Sequence, residues 1–284
     1  MTLFGMRVRV LMVLVALGLG LALAGCGAKV TPGPSVTRDP APADLVLRID
    51  PLPGFVAEEW SYSHLPIISV YGDGRVITTG ATPAIFPGPA LPALLIQLIP
   101  TSDVRRLAER ARAAGVGSNA DLGQPGVADA GSMRFTLLTD AGLVQTTAYA
   151  LGDVGNDPNL SARQRAARQA LQDLVDQLRR PLPGPAPVPY TPTAVAVIAQ
   201  PWQDQGDPAL PNPPPVAWPG PALPGPYLTE RLGCGVATGA TADAVIAAAS
   251  HANTRTPWSY GARHWTLTLR PLLPDESTCE DLRG

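Results

Sequence analysis

The chain has 284 residues and a nearly balanced charge, with 21 Lys and Arg residues against 23 Asp and Glu residues. Two of the basic residues and none of the acids precede Cys26, so the chain beyond that point carries a net charge of −4. This mildly acidic balance argues against nucleic acid or an anionic membrane surface as the main partner.

The first 26 residues have the order of an export signal. Arg7 and Arg9 form a short basic region, and residues 10–22 are an uninterrupted apolar run that is too short to span a bilayer. The run ends in Leu-Ala-Gly-Cys at Cys26, which resembles the lipobox of bacterial lipoproteins. The resemblance implies a signal peptide over 1–25 and a diacylglycerol group on Cys26, which would anchor the protein on the extracytoplasmic face of the cell membrane. The alternatives are an uncleaved anchor and an ordinary signal peptide with a chance cysteine.

The remaining cysteines, Cys234 and Cys279, form an even pair, and a disulfide is expected in an oxidising exterior. It would close a loop of roughly 45 residues and contribute about 4 kcal/mol on the chain-entropy model. His251 and His264 fall within the same loop, so a Cys/His zinc site is the alternative. No pair of these residues has the spacing of a zinc motif.

Two Pro-rich stretches divide the chain. Residues 26–43 are predicted to be the lipidated cysteine and an extended tether that reaches about 50 Å, at about 3.1 Å per residue. Residues 181–192 are predicted to be a linker. The length then favours an N-terminal domain over 44–180 and a C-terminal domain over 193–284.

The N-terminal domain is predicted to be an α+β unit with the order hairpin–helix–hairpin–helix, an antiparallel sheet with helices packed on one face. The turns Gly72-Asp73-Gly74 and Asp140-Ala141-Gly142 favour hairpins. Helical spacing of apolar residues indicates the two helices. The predicted strands are 67–71, 75–79, 133–139 and 143–151, and the helices begin at Thr101 or Ser102 and at Ser161, where Gln164 completes a capping box.

The C-terminal domain is predicted to be a second, small disulfide-bridged α+β unit. Strands are expected at 194–199, 232–238 and 264–270, with a helix capped by Thr241 that runs to about Ala252. The Pro-rich segment 201–226 between the first two strands is interpreted as a rigid loop that lies over its own domain. A polyproline docking strip and an aromatic glycan-contacting loop are the alternatives.

Four runs resemble a group of secreted or lipid-anchored actinobacterial proteins that have no assigned activity. They are SVYGDGRV at 69–76, ADLGQPGVADAG at 120–131, LSARQRAARQAL at 160–171 and RPLLPDESTC at 270–279. The resemblance covers most of the chain beyond Cys26. It implies a two-domain envelope protein and brings no catalytic residues with it.

Nucleophile and cofactor motifs are not found in the sequence. No serine lies in G-x-S-x-G, and the only lysine, Lys29, lies in the predicted tether, which removes S-x-x-K and Schiff-base chemistry from the folded body. No phosphate-binding or dinucleotide-binding fingerprint is present, so no cofactor is predicted. His64, His251 and His264 are interpreted as surface or hydrogen-bonded residues and not as members of a catalytic triad.

Two groups of carboxylates are candidate sites. Glu58 and Glu59, beside Trp60 and Tyr62, have the residue types of a glycosidase site. Adjacent residues on a strand point to opposite faces, so an exposed acidic loop is the preferred interpretation.

Oxygen-rich loops are the second group, since calcium prefers such ligands. Their spacing does not match an EF-hand, and Asp and Asn also favour turns, so no metal site is predicted. The residues are Asp153, Asn156, Asp157 and Asn159, with Asp121 and Asp129 in a second loop.

These observations favour a non-catalytic lipoprotein that binds an envelope protein or a cell-wall partner. One alternative is a hydrolase of cell-wall or glycan material that uses Glu59 or an Asp with a histidine. The other is a small-ligand-binding lipoprotein with a pocket between the domains, lined by Trp258 or Trp265.

Overall fold

The computed structural model describes residues 40–81, 84–152, 157–204, 206 and 210–283. They form a mixed α+β structure of mostly antiparallel strands, which confirms the predicted class. The predicted signal peptide, Cys26 and most of the tether lie outside the described residues. Within the described ranges, no helix is both long and apolar enough to cross a membrane.

Seven antiparallel strands form the first sheet. They are Leu45–Leu52 (β1), Ile68–Tyr71 (β2), Arg75–Thr79 (β3), Leu94–Leu98 (β4), Ser132–Thr139 (β5), Gly142–Tyr149 (β6) and Val188–Pro189 (β7). Their order across the sheet is β6-β5-β1-β2-β3-β4-β7. Strand β1 is central, although the sequence did not predict it.

Apolar residues of β1 and of two helices share the main core. The helices are Thr101–Ala113 (α2) and Ala162–Leu178 (α3). Leu47 and Ile49 of β1 pack in this core, whereas the intervening Arg48 points to the opposite face. The two faces of β1 therefore have different environments, one apolar and one charged.

The starts of α2 and α3 test two capping predictions. Ser161 accepts a hydrogen bond from the Gln164 backbone, and the Gln164 side chain accepts one from the Ser161 backbone, which confirms the predicted capping box. The prediction that Thr101 or Ser102 caps α2 is wrong. Pro100 occupies the cap position and makes no side-chain hydrogen bond, and its ring holds φ at −58°.

Five strands form the second sheet. They are Ala194–Pro201 (β8), Val216–Ala217 (β9), Gly233–Thr238 (β10), Trp258–Tyr260 (β11) and Arg263–Pro271 (β12), in the order β10-β8-β12-β11-β9. The pairs are antiparallel except for the short contact between β9 and β11. Trp218, Trp258 and Trp265 are buried in the core beneath this sheet.

Helix Gly239–Ala249 (α4) follows β10 without a connecting loop. The predicted cap at Thr241 is therefore wrong, because the helix begins two residues earlier. Gly239 has φ of +53°, a left-handed conformation that suits glycine and turns the chain directly from strand into helix. The helix also ends earlier than the predicted Ala252.

A disulfide joins Cys234 on β10 to Cys279, with the two Cα atoms 6.2 Å apart, as the cysteine count predicted. Cys279 begins a short 3₁₀ helix, Cys279–Arg283. The zinc alternative is therefore wrong, because both sulfur atoms are consumed in this bond.

Residues from the two predicted domains meet on the charged side of the first sheet. Leu273, which follows β12, is buried with Leu45, Tyr71 and Leu94 of that sheet. In the predicted linker, Val188–Pro189 pairs with β4 as an edge strand. The domain boundaries stay a prediction.

Candidate functional site

A partly buried network of charged side chains joins the two sheets. Arg48 on β1 donates from Nε to Ser69 Oγ at 3.0 Å and from Nη2 to Asp275 Oδ1 at 2.6 Å. Tyr71 on β2 donates from its hydroxyl to the same Asp275 oxygen at 2.7 Å. Asp275 follows β12, so these contacts bind the C-terminal segment to the first sheet.

The neighbouring carboxylate, Glu276, is more deeply enclosed. Both of its oxygens accept from Arg270, at 2.6 Å and 2.9 Å, and Oε2 also accepts from the Leu273 backbone at 2.8 Å. Arg270 Nε donates to the His64 carbonyl at 3.1 Å, and Arg48 Nη1 lies 3.8 Å from Glu276 Oε1. This bidentate geometry is the strong form of an arginine–carboxylate pair.

The electrostatics of the network favour fixed protonation states. Burial alone would lower the pKa of Arg48, but the charges of Asp275 and Glu276 outweigh it and raise that pKa. Burial raises the pKa of Tyr71, and its hydrogen bond to Asp275 raises it further, while Arg48 opposes the change. Tyr71 therefore stays a neutral donor. The network has fixed charges that bind the C-terminal segment to the first sheet, and we call this arrangement a clamp, in contrast to an acid–base pair.

The side chain of His64 lies beside this network, which the residue joins only through its backbone carbonyl. Its Nδ1 is buried and has no hydrogen-bond partner among the described residues. Burial lowers the pKa of its imidazole, and nearby Arg270 adds to the effect, although Asp50 opposes it. Asp50 itself pairs with Arg134 at 3.2 Å. These surroundings favour the neutral form of the His64 ring over the protonated form.

The predicted Glu58 and Glu59 lie in a turn that leads directly into the short helix Trp60–Ser63 (α1). They therefore lie in a loop, as the preferred interpretation had it, and both residues are half-buried. Glu58 forms an ion pair with Arg231 at 3.0 Å, and that arginine is largely exposed.

The other two histidines lie apart from these carboxylates. His251 follows the end of α4 and is exposed. His264 on β12 is also exposed, and its Nδ1 lies 3.1 Å from Ser259 Oγ, with the Trp202 ring edge-on to it. In the part of the chain that the structure describes, no group of three or more metal-ligating side chains is brought together.

In the described parts of the oxygen-rich loops, the carboxylates accept hydrogen bonds from nearby backbone and side-chain groups. Asp157 accepts from the Gly126 and Asn159 backbones, each at 2.8 Å, which lowers its pKa. Asp121 accepts from the Gly123 backbone and from the Gln164 side chain, which lowers its pKa in the same way.

The remaining members of these loops are Asp129, Asp153 and Asn156. Asp153 and Asn156 lie outside the described residues. Asp129 has a left-handed backbone, with φ of +55°.

The Pro-rich segment 201–226 packs on its own sheet in two places. Trp218 is buried edge-on against Trp258, with ring centroids 5.3 Å apart, and its Nε1 donates to the Pro221 carbonyl. Pro226 accepts from the Cys234 backbone at 2.7 Å, so the segment also covers part of β10. These contacts agree with the loop interpretation.

A cavity of about 250 Å³ lies between α3 and the first sheet. Val76 and Leu178 contribute apolar walls, and Arg179 and Arg180 stand exposed at the end of α3. Gln97 donates from its side chain to the Leu182 and Pro185 carbonyls, and these bonds hold the segment after α3 against the sheet. The cavity is far from the predicted location, because Trp258 and Trp265 are buried in the core of the second sheet.

Sequence reasoning missed a set of exposed apolar side chains, which we call the distal patch: Phe55, Val56 and Trp60 in one segment and Tyr227 in a second segment. Phe55 is 93% exposed, Trp60 60% and Tyr227 64%. The ion pair between Glu58 and Arg231 holds their two segments together. A signal was present in FVAEEW at 55–60, where large apolar residues occur in a segment without the period of a helix or strand.

The distal patch lies at the end of β1 opposite to the point where the described chain begins. Asp44 and Pro42 accept from the backbones of Gly72 and Asp73, so the entering segment is held at the β2–β3 turn. From there β1 runs eight residues to Leu52, about 26 Å at 3.3 Å per residue. Phe55 follows Leu52 by three residues, so the first segment of the patch lies beyond this end of the strand.

Comparisons with protein-family models, with curated proteins and with solved structures find no match to this chain.

Proposed function

We propose that this protein is a lipoprotein anchored through Cys26 on the extracytoplasmic face of the cell membrane, and that its body is a non-catalytic module that binds an envelope protein or a cell-wall partner. The observation that carries the proposal is the distal patch, which combines exposed aromatic residues with a neighbouring ion pair.

The exposure of the patch has an energetic cost that favours a binding role. Aromatic side chains with most of their surface in water lose the stabilisation that burial would give, at about 25 cal/mol per Å². Aromatic residues also contribute most of the binding energy at many protein interfaces. The charged pair Glu58 and Arg231 beside them supplies the polar rim that such interfaces have.

The proposal includes the finer architecture expected from the sequence, a hairpin–helix–hairpin–helix unit with both helices on one face of its sheet. The apolar residues of α2 and α3 that share one core with β1 support it. The extended tether of 26–43 would place the body about 50 Å from the bilayer, at about 3.1 Å per residue. A body held at that distance would be able to reach partners beyond the membrane surface.

Two measurements on the full chain test the proposal. The Cys26→Ser variant should lose membrane association, since the acyl chains are the proposed anchor. In crosslinking from intact cells, Trp60→Ser and Phe55→Ser should lose a crosslinked partner that the wild type retains. The matched control is Leu98→Ser, which removes an equally exposed apolar side chain outside the patch. An unchanged crosslinking pattern in the patch variants would overturn the binding role, and an unchanged membrane fraction for Cys26→Ser would overturn the anchor.

The cavity beside α3 favours a second candidate, a small-ligand-binding lipoprotein. Its apolar walls with Arg179 and Arg180 nearby suit a small amphiphile with a carboxylate, and its volume of about 250 Å³ is below that of a drug-sized site. Octanoate should then raise the melting temperature of the full chain more than octanol does. Equal effects of the two probes would count against this candidate.

A further inference from the structure

Three of the four sheet edges are protected against further pairing. The edge strands β7 and β9 have only two residues each, and β7 contains Pro189. Strand β10 is covered by the Pro-rich segment, through Cys234 donating to Pro226 and a bridge between Tyr227 and Gly233. Short strands, proline and covering loops are the usual means by which proteins prevent edge-to-edge association.

The fourth edge, strand β6, has none of these protections. Its eight residues, GLVQTTAY, include no proline and no charged side chain. Because Thr139 and Gly142 flank the two-residue turn to β5, the even-numbered residues bond inward to β5. The odd-numbered residues therefore direct their backbone N–H and C=O groups outward.

The outward groups at the middle of β6 are free to pair. Within the described residues, no other segment makes a backbone hydrogen bond to Leu143, Gln145 or Thr147 on that side. The side chains of these three residues are exposed. A neighbouring strand would find a regular row of donors and acceptors.

We propose that a second copy of this chain pairs antiparallel with β6 across a two-fold axis at Gln145. In this register Leu143 of each copy faces Thr147 of the other, and about six backbone hydrogen bonds form between the three pairs. Apolar and β-branched residues are favourable cross-strand neighbours. An uncharged strand also places no like charges opposite each other when it meets its own copy.

Closure of the assembly favours a second copy over a growing fibre. A two-fold contact uses the same edge of both copies, so it consumes both unprotected edges at once. The far edge of each first sheet is then β7, whose two residues and Pro189 prevent further addition. The product is a dimer in which the seven-stranded sheets of two copies become continuous.

Sedimentation of the full chain in mild detergent tests the dimer. The wild type should show a concentration-dependent mass of two copies. Gln145→Pro should weaken the dimer at least about tenfold, since it removes the two central hydrogen bonds while no inward bond from residue 145 is lost. Gln145→Lys should act in the same direction by placing two ammonium groups at the axis. It serves as the second variant in case the proline disturbs the fold.

The matched control is Gln177→Lys, which makes the same change at an exposed position of α3. It should leave the dimer unchanged. A monomeric wild type at about 100 μM, a concentration at which an association of even modest affinity is populated, would overturn the proposal. A dimer that survives both Gln145 variants would also overturn it, because the contact would then lie elsewhere.

Discussion

Replacing Glu276 by glutamine tests whether the charged network is a clamp. The Glu276 and Arg270 side chains are only 5% and 6% exposed, and the carboxylate accepts three close hydrogen bonds. Glutamine preserves the shape but removes the charge, and it turns an amide towards the arginine donors. Breaking one partner of a buried pair costs about 3–5 kcal/mol, because the other charge stays buried. We expect the lower end, about 3 kcal/mol, since Asp275 still neutralises Arg48.

Urea unfolding followed by tryptophan fluorescence measures this loss, and the melting temperature should fall by about 6–12 °C. The control is Glu58→Gln, which breaks an ion pair whose side chains are 34% and 79% exposed. That change should cost less than about 1 kcal/mol. The joint change Arg270→Met with Glu276→Leu should recover most of the loss, since no charge is then left alone. A loss below about 1 kcal/mol for Glu276→Gln would refute the clamp.

Three further changes should alter stability in defined ways. The pKa of Asp281 is lowered by hydrogen bonds from the Ser277 and Thr278 backbones, so its contribution is present above the unfolded pKa of about 3.9 and is lost as the pH falls further. Asp281→Asn should therefore make the free energy of unfolding less dependent on pH in the acidic range. An unchanged dependence would contradict this. The pKa of His64 is lowered chiefly by burial, so the wild type should lose stability as the pH falls below about 6.5, and His64→Gln should remove that slope between pH 5 and 7. Cys279→Ser should lower the free energy of unfolding by about 4 kcal/mol, because the bond closes a 45-residue separation; reduction of the wild type should match it, and a mismatch would point to another role for that sulfur.

Features that depend on neighbouring residues could be predicted from the sequence. The Ser161–Gln164 capping box needs two residues three apart, and the structure forms it. The Cys234–Cys279 disulfide followed from counting, since one pairing was available. Strand β1 was missed although Leu47 to Asp50 alternates apolar and charged residues, because the proline residues on either side of it are typical of loops.

The candidate site was beyond sequence reasoning for a physical reason. Arg48 and Asp275 are 227 residues apart, and nothing local to either residue indicates its partner. Likewise, one alternative placed Trp258 or Trp265 in a ligand pocket, whereas both rings fill a core that they share with Trp218 and with aliphatic side chains. Both the partner of Arg48 and the burial of the tryptophans depend on contacts between distant parts of the chain.

The distance between Arg48 and Asp275 along the chain also sets an order for folding. During synthesis β1 and β2 are complete long before residue 275 exists. Until then Arg48 can pair only with Ser69 and Tyr71 on β2, and water has to take the place of Asp275 and Glu276, so this face of the first sheet stays partly hydrated. Water leaves that face of the first sheet only when the last tenth of the chain packs on it. In a fragment that ends near residue 192, the same face would stay exposed to solvent.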